Sequence, residues 1–165
     1  MRSGFVKVFA LALVLLVLGA CSKSGAVEIG AGAPDISIKD VDGAEVSLSS
    51  LKGNVIILNF FGTWCPPCRA EIPDFIKLQN NYASKGFTVV GVSRETPGEV
   101  KSFMTGQGIN YPVWIDETGK AHNIYGPIRG IPTTFIIDKN FKIQRMYVGA
   151  RSGEVFENDV LELLK

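Results

Sequence analysis

From Val55 to Phe61 the chain carries no charge: Val55-Ile56-Ile57-Leu58-Asn59-Phe60-Phe61 is apolar but for one amide. An unbroken run of β-branched and aromatic residues of this length reads as a strand covered on both faces. Phe87-Thr88-Val89-Val90-Gly91-Val92-Ser93 repeats the pattern behind Lys85-Gly86, a helix stop. Between the two runs the spacing turns helical. Gly62-Thr63 break the first strand, Pro66-Pro67 open a helix, and Ile72, Phe75, Ile76, Tyr82 and Ala83 fall on one stripe. Pro73 removes an amide inside that helix and is expected to kink it. Further on, Pro97 to Gln107 reads as a short helix and Tyr111 to Asp116 as a short strand. A turn at Glu117-Thr118-Gly119 leads into one or two helical turns around Ala121 to Tyr125. Thr133 to Ile137 and Lys142 to Val148 form a hairpin about Asp138-Lys139-Asn140, and Gly153 to Leu164 is amphipathic through Phe156, Val160, Leu163 and Leu164. Near the front, Asp35 to Ile38 and Glu45 to Leu48 flank Asp42-Gly43, a type I′ hairpin signal. Strands alternating with helices predict an α/β fold, a mixed central sheet with helices on both faces.

Composition narrows the class without changing that picture. With 165 residues, 46% hydrophobic and 20% charged, the chain has material for one packed domain that needs no disulfide staple. A net charge of +1, with no basic aromatic patch, argues against a nucleic-acid partner. There are no repeats and no nucleotide-binding glycine fingerprint.

The first 20 residues stand apart. Arg2 and Lys7 precede Val8 to Ala20, a run of 13 apolar and small residues, too short for the roughly 20 that cross a bilayer. The run ends Leu18-Gly19-Ala20-Cys21, which resembles a bacterial lipobox, and that resemblance implies cleavage before Cys21 and lipid on its sulfur. An ordinary signal peptide with an incidental cysteine, or a short uncleaved anchor, are the alternatives. The expected organisation is a signal peptide at 1–20, a lipidated flexible tether at 21–32 rich in small residues, and a folded domain at 33–165. Without residues 1–20 the chain keeps 15 basic and 16 acidic side chains, so the positive balance belongs to the leader. Export places the domain outside the cytoplasmic membrane, where thiols are oxidised unless actively reduced.

Two cysteines remain, in Trp64-Cys65-Pro66-Pro67-Cys68. A disulfide closing so short a loop constrains the unfolded chain by only about 2 kcal/mol, which is poor value as a staple. Zinc wants four ligands, and beyond this pair the chain offers only His122 as a soft or borderline one, so no metal is expected and His122 is read as a surface residue on a short helix. A redox pair needing no other cofactor is the better reading. It sits where a buried strand hands over to a helix N-terminus, and unpaired amides there lower a cysteine pKa to roughly 3.5 to 7.5. Cys65, just outside the first turn, is expected to be the exposed nucleophile and Cys68, one turn in, the shielded resolving thiol. Glu71, three residues after Cys68, borders the apolar stripe. It is either a solvated helix glutamate or a partly buried acid whose raised pKa suits it to exchange a proton with Cys68.

Gly130-Ile131-Pro132-Thr133 makes a resemblance specific. Trp-Cys-Pro-Pro-Cys after a buried strand, with Ile-Pro-Thr at the head of another strand some 64 residues later, resembles the thioredoxin superfamily. The resemblance implies a thioredoxin-like fold, a cis bond before Pro132, and substrate binding by Trp64, Ile131, Pro132 and Thr133. Asn59-Phe60-Phe61-Gly62-Thr63-Trp64, Glu71-Ile72-Pro73, the N-terminal hairpin and the helix and strand inserted at about 94–116 resemble the exported TlpA-like and ResA-like group. In that group a glutamate matching Glu71 assists the thiols. The group implies a thiol-disulfide oxidoreductase acting as a reductant on disulfide-containing proteins, with apocytochrome c the leading substrate class. It also implies a membrane thiol reductase as electron donor. A redoxin-type thiol peroxidase fits less well, because its threonine three residues before the nucleophile is Gly62 here and Thr63 is out of register. A metal-handling lipoprotein is the other alternative.

Overall fold

The computed structural model describes residues 27–165; the expected signal peptide at 1–20 and the expected lipidation site Cys21 lie outside the described residues. Seven strands are formed: β1 (Ser37–Asp40), β2 (Glu45–Ser47), β3 (Val55–Phe60), β4 (Phe87–Ser93), β5 (Val113–Ile115), β6 (Thr133–Ile137) and β7 (Ile143–Val148). They make one sheet in the order β2-β1-β5-β4-β3-β6-β7. β3 lies parallel to β4 and antiparallel to β6, and all six of its residues are buried.

The side-chain alternation of β3 divides two cores. Val55 and Ile57 point to one face, where α1 (Pro66–Tyr82) brings Phe75, Leu78 and Tyr82, α2 (Pro97–Gln107) brings Val100, and α4 (Gly153–Leu164) brings Phe156 and Val160. Ile56, Leu58 and Phe60 point to the other, against Ala121 of α3 (Lys120–Ile124), Tyr125, Leu48 and Ile36. The expected mixed sheet with helices on both faces is therefore formed, and α2 with β5 is the inserted unit. Thr96 starts α2 with a capping box shared with Glu99, and Gly108 closes it in the left-handed conformation.

Three expectations about the scaffold change. The turn between β1 and β2 is not type I′, since Gly43 has positive φ and Asp42 does not. Gly43 N donates to Asp40 O, Asp40 N donates to Ala44 O, and the Asp40 carboxylate accepts from the amides of Asp42 and Ala44. This is a three-residue loop whose last residue is a left-handed glycine. On α1, Leu78 is buried and Ile76 only half so, while Ala83 is exposed because the helix has tightened into a 3₁₀ turn by then. The packed chain also begins before residue 33. Gly30 N donates to Ile143 O, Ile143 N donates to Ala31 O, and Gly32 bridges Lys142, so these small residues run beside the head of β7 instead of continuing a free tether. Among the described residues no helix is long and apolar enough to cross a membrane.

Candidate active site

Because β3 and β6 are antiparallel with Phe60 opposite Thr133, the loop leaving β3 meets the loop entering β6. The first carries Cys65 and the second carries Ile131-Pro132, whose peptide bond is cis. Cys65 and Cys68 form a disulfide, with their Cα atoms 5.3 Å apart. Cys65 is the N-cap of α1, and its Sγ accepts from the Cys68 amide at 3.3 Å. Pro66 and Pro67 occupy the first two helical positions and have no N–H, so Cys68 N is the donor that the first turn can offer that sulfur. On the other side Cys65 Sγ lies 3.8 Å from the Ile131 carbonyl oxygen.

That loop changes one expectation. Cys65 is only 3% exposed and Cys68 2%, so in the disulfide form the two are covered alike. The cis-proline loop shields Cys65 from across the fold. Trp64 is the exposed member, at 70%, and its indole folds over Gly62, where a Cβ would sit 3.0 Å from Trp64 Nε1 and 3.2 Å from Ile131 Cδ1. A side chain at position 62 would therefore have to push the Trp64 indole and the end of Ile131 aside by a few tenths of an ångström. Thr133 Oγ1 donates to Gly130 O at 2.7 Å, and Gly149 N donates to Pro132 O at 2.8 Å, holding the proline loop from both sides.

Glu71 shares the buried face of α1 with Cys68, Ile72 and Phe75. It is 1% exposed, so the solvated-glutamate alternative falls. Oε1 accepts from Arg151 N at 2.8 Å, while Oε2 is buried without a hydrogen-bond partner. Burial dominates and raises the pKa to about 7; the Arg151 amide, the Arg151 charge and the Asn59 amide oppose the rise, and Asp74 adds to it. Asn59 directs its Nδ2 to Thr134 Oγ1 at 2.8 Å.

Two further clusters lie at the ends of β4 and β5. Glu95 accepts from Thr63 N at 2.7 Å, from the Thr63 hydroxyl and from Ser93 Oγ at 3.1 Å, tying the end of β4 to the active-site loop. His122 corrects the surface reading: it is 9% exposed, its ring meets Phe60 edge-on at 4.8 Å, and its Nδ1 lies 2.7 Å from Asp116 Oδ2. Burial lowers the His122 pKa, with the Arg94 charge helping, against the opposing bond and charge of Asp116. Asp116 also accepts from the amides of Ala121 and His122, so it organises the start of α3. Neither Glu95 nor Asp116 was singled out from the sequence. The available signal was position, because Ser93-Arg94-Glu95 follows the carboxyl end of a central parallel strand, where sites gather in open α/β sheets.

Residues 29–146 match the family model described as AhpC/TSA. The chain belongs to the AhpC/TSA family. The thiol-disulfide oxidoreductase ResA of Bacillus thuringiensis (strain Al Hakam) is 36% identical over 132 residues, covering 79% of this chain and 76% of that relative. ResA of Bacillus subtilis (strain 168) is 31% identical over 166 aligned positions, covering 99% of this chain and 92% of the relative. The crystal structure of a thiol:disulfide interchange protein of the thioredoxin family from Chlorobium tepidum TLS superposes with a TM-score of 0.74 at 45% identity, covering 85% of this chain and all of that one. This AhpC/TSA protein is therefore a ResA-like thiol-disulfide oxidoreductase with a thioredoxin-like fold.

Glu71 makes stability depend on pH in a defined direction. An acid whose pKa rises from 4.5 to about 7 on folding binds its proton more tightly in the folded state, so stability is fullest below pH 4.5 and declines as pH rises through about 7. After allowance for solvent screening the decline is on the order of 2 kcal/mol. Urea unfolding of the oxidised protein from pH 5 to 8 checks this: Glu71→Gln, which keeps an acceptor for Arg151 N, should lose that slope, and a slope equal to that of the parent would disprove the raised pKa.

Proposed function

We propose that the protein is a reductant of disulfide-bonded proteins outside the cytoplasm, with Cys65 as nucleophile, Cys68 as resolving thiol and Glu71 as the proton-exchanging group. The observation that carries this reading is the Cys65–Cys68 disulfide at the start of α1, packed against the cis Ile131-Pro132 bond with a buried acid one turn further on. In the dithiol form the Cys65 thiolate attacks one sulfur of a substrate disulfide. A Cys65–substrate bond forms, the substrate S–S bond breaks, and the departing thiolate takes a proton. Glu71 accepts the proton of Cys68, whose thiolate attacks the Cys65 sulfur. The Cys65–Cys68 bond re-forms, and the second substrate thiol leaves; two electrons have passed to the substrate. The cysteine pair is the only redox group this sequence of steps requires. An acid with a pKa of about 7 is suited to the transfer at neutral pH.

The proline pair supports the reducing direction. An amide-rich helix start stabilises the thiolate and hence the reduced form, which makes a pair oxidising. Pro66 and Pro67 remove two of the amides that would do so, leaving the Cys68 amide. The reduced form is correspondingly less favoured and gives up its electrons more readily.

The ResA likeness supports apocytochrome c, with its haem-attachment cysteines, as substrate, and a membrane thiol reductase as the source of electrons. Lipid on Cys21 would hold the domain beside that donor. Ile131, Pro132, Thr133 and Trp64 are the residues that receive the substrate segment, the Ile131 backbone pairing with it as an added strand.

Cys68→Ser tests the exchange: it should accumulate a mixed disulfide through Cys65 with a disulfide-containing substrate, seen by intact-mass spectrometry and lost on adding dithiothreitol. Recovery of the unmodified thiol after prolonged incubation would refute the assignment. Glu71→Gln should slow disulfide reduction by at least about ten-fold and abolish the rate inflection near pH 7; an unaltered pH profile would remove its role. Pro67→Ala restores a first-turn amide, and should lower the Cys65 pKa and make the potential of the pair less negative in a glutathione titration. A potential unchanged or more negative would overturn the proline argument.

A further inference from the structure

Beside Trp64 and Ile131, both neighbours of Cys65, lies an open cavity of about 240 Å³. Phe61, Gly62, Trp64 and Ile131 line it together with Arg94 and Arg129. That volume is below the roughly 300 to 1,000 Å³ of small-molecule sites and suits one or two side chains of a bound segment.

The acidic and basic groups around the cavity differ in what they already bind. Glu95 lines the cavity and Asp116 is bonded to its lining residue His122, and both carboxyl groups are engaged by donors of the protein. Glu95 takes the Thr63 amide, the Thr63 hydroxyl and Ser93 Oγ, and Asp116 takes the amides of Ala121 and His122 and the ring of His122. Both arginines, by contrast, are exposed, and neither forms an ion pair or a side-chain hydrogen bond among the described residues. Arg94 passes close over the Gly119 turn: its guanidinium carbon lies 3.3 Å from where a Cβ of Gly119 would be, and Gly119 has a φ of +73°, a conformation that favours glycine. The planar guanidinium fork matches a carboxylate.

We propose that this cavity is a specificity subsite for an acidic side chain of the substrate polypeptide, with Arg94 and Arg129 receiving an aspartate or glutamate close in sequence to the target cysteine. The subsite rests on the exchange reading above, since the Ile131 loop that would align the substrate backbone also forms its wall. His122 also lines the cavity, with its Nδ1 engaged by Asp116.

The probes are eight-residue peptides with one cysteine flanked by two glutamates, two glutamines or two lysines, each as a mixed disulfide with 2-nitro-5-thiobenzoate. The reduced protein should act on the glutamate peptide about five-fold faster in kcat/KM than on the glutamine peptide, with the lysine peptide slowest. The preference should shrink in about 0.5 M salt, which reduces the Debye length to a few ångströms. Arg94→Gln/Arg129→Gln should bring the glutamate-to-glutamine ratio near one, and Arg129→Glu, at an exposed position, should shift preference toward the lysine peptide. Equal rates for the three peptides, or a preference that survives both changes, would overturn the subsite. The same peptides with serine for cysteine separate this outcome from a failure of exchange. Their binding, followed by Trp64 fluorescence or by isothermal titration, should still rank glutamate above glutamine, and the absence of that ranking would overturn the subsite whatever the rates.

Discussion

The pairing of Phe60 with Thr133 is the constraint on which the site depends. Antiparallel strands bring the end of one to the start of the other, so five residues beyond Phe60 and one before Thr133 the chain places Cys65 against Pro132. A slip of one residue would turn each β3 side chain to the opposite face. That slip is expensive because the faces are not equivalent. Ile56, Leu58 and Phe60 fill a core shared with Tyr125 and Phe135, while Val55 and Ile57 fill the one shared with Phe75 and Phe156. The register therefore follows from two packed layers, and the site inherits its geometry from them.

Glu71 is where packing and chemistry pull apart. Helical spacing puts it on the face of Cys68, Ile72 and Phe75, and a carboxylate there loses water for one backbone amide and a partly screened arginine. An apolar residue would satisfy the core better. Its neighbour Tyr111 is affected too, its hydroxyl pushed upward by burial first and then by the Glu71 charge. The group nevertheless answers a need of dithiol chemistry, since one thiol must lose its proton as the other is attacked. A carboxyl suspended near neutrality by burial does this without a histidine at the thiols.

Most of the architecture was legible because it rests on long, one-sided patterns. The runs at Val55 and Phe87 read as buried strands, and the amphipathic spacing of Phe156, Val160, Leu163 and Leu164 marks α4. The departures came from contacts between distant residues. Asp42-Gly43 suits a two-residue or a three-residue loop, and the Asp40 side chain, by accepting two loop amides, selects the second. A five-residue helix has too few turns to define a face, so His122 gave no sign that Asp116 and Phe60 would bury it. The covering of Cys65 depends on Ile131, which no local pattern around the cysteines reports. Glu71 lay between these cases: its place on the stripe suggested burial, and the depth of that burial came from the Arg151 loop.

The electrostatics of the site contain two opposed influences on Cys65. Arg94 and Arg129 are cations beside the same cavity and would favour a thiolate, whereas the proline pair withholds amides from it. Distance decides between them. An amide donor acts in contact, without intervening solvent, while exposed guanidinium groups act across an open, hydrated cavity in which salt screens them within about 10 Å. The amide deficit therefore weighs more on the sulfur, and the arginines weigh more on whatever enters the cavity. Poise and selectivity are in this way assigned to different parts of the molecule, the first to the opening turn of α1 and the second to the loops that follow β4 and precede β6. A substrate carboxylate bound at the arginines would separate the two further, since neutralising those charges leaves the helix start as the main local influence on Cys65.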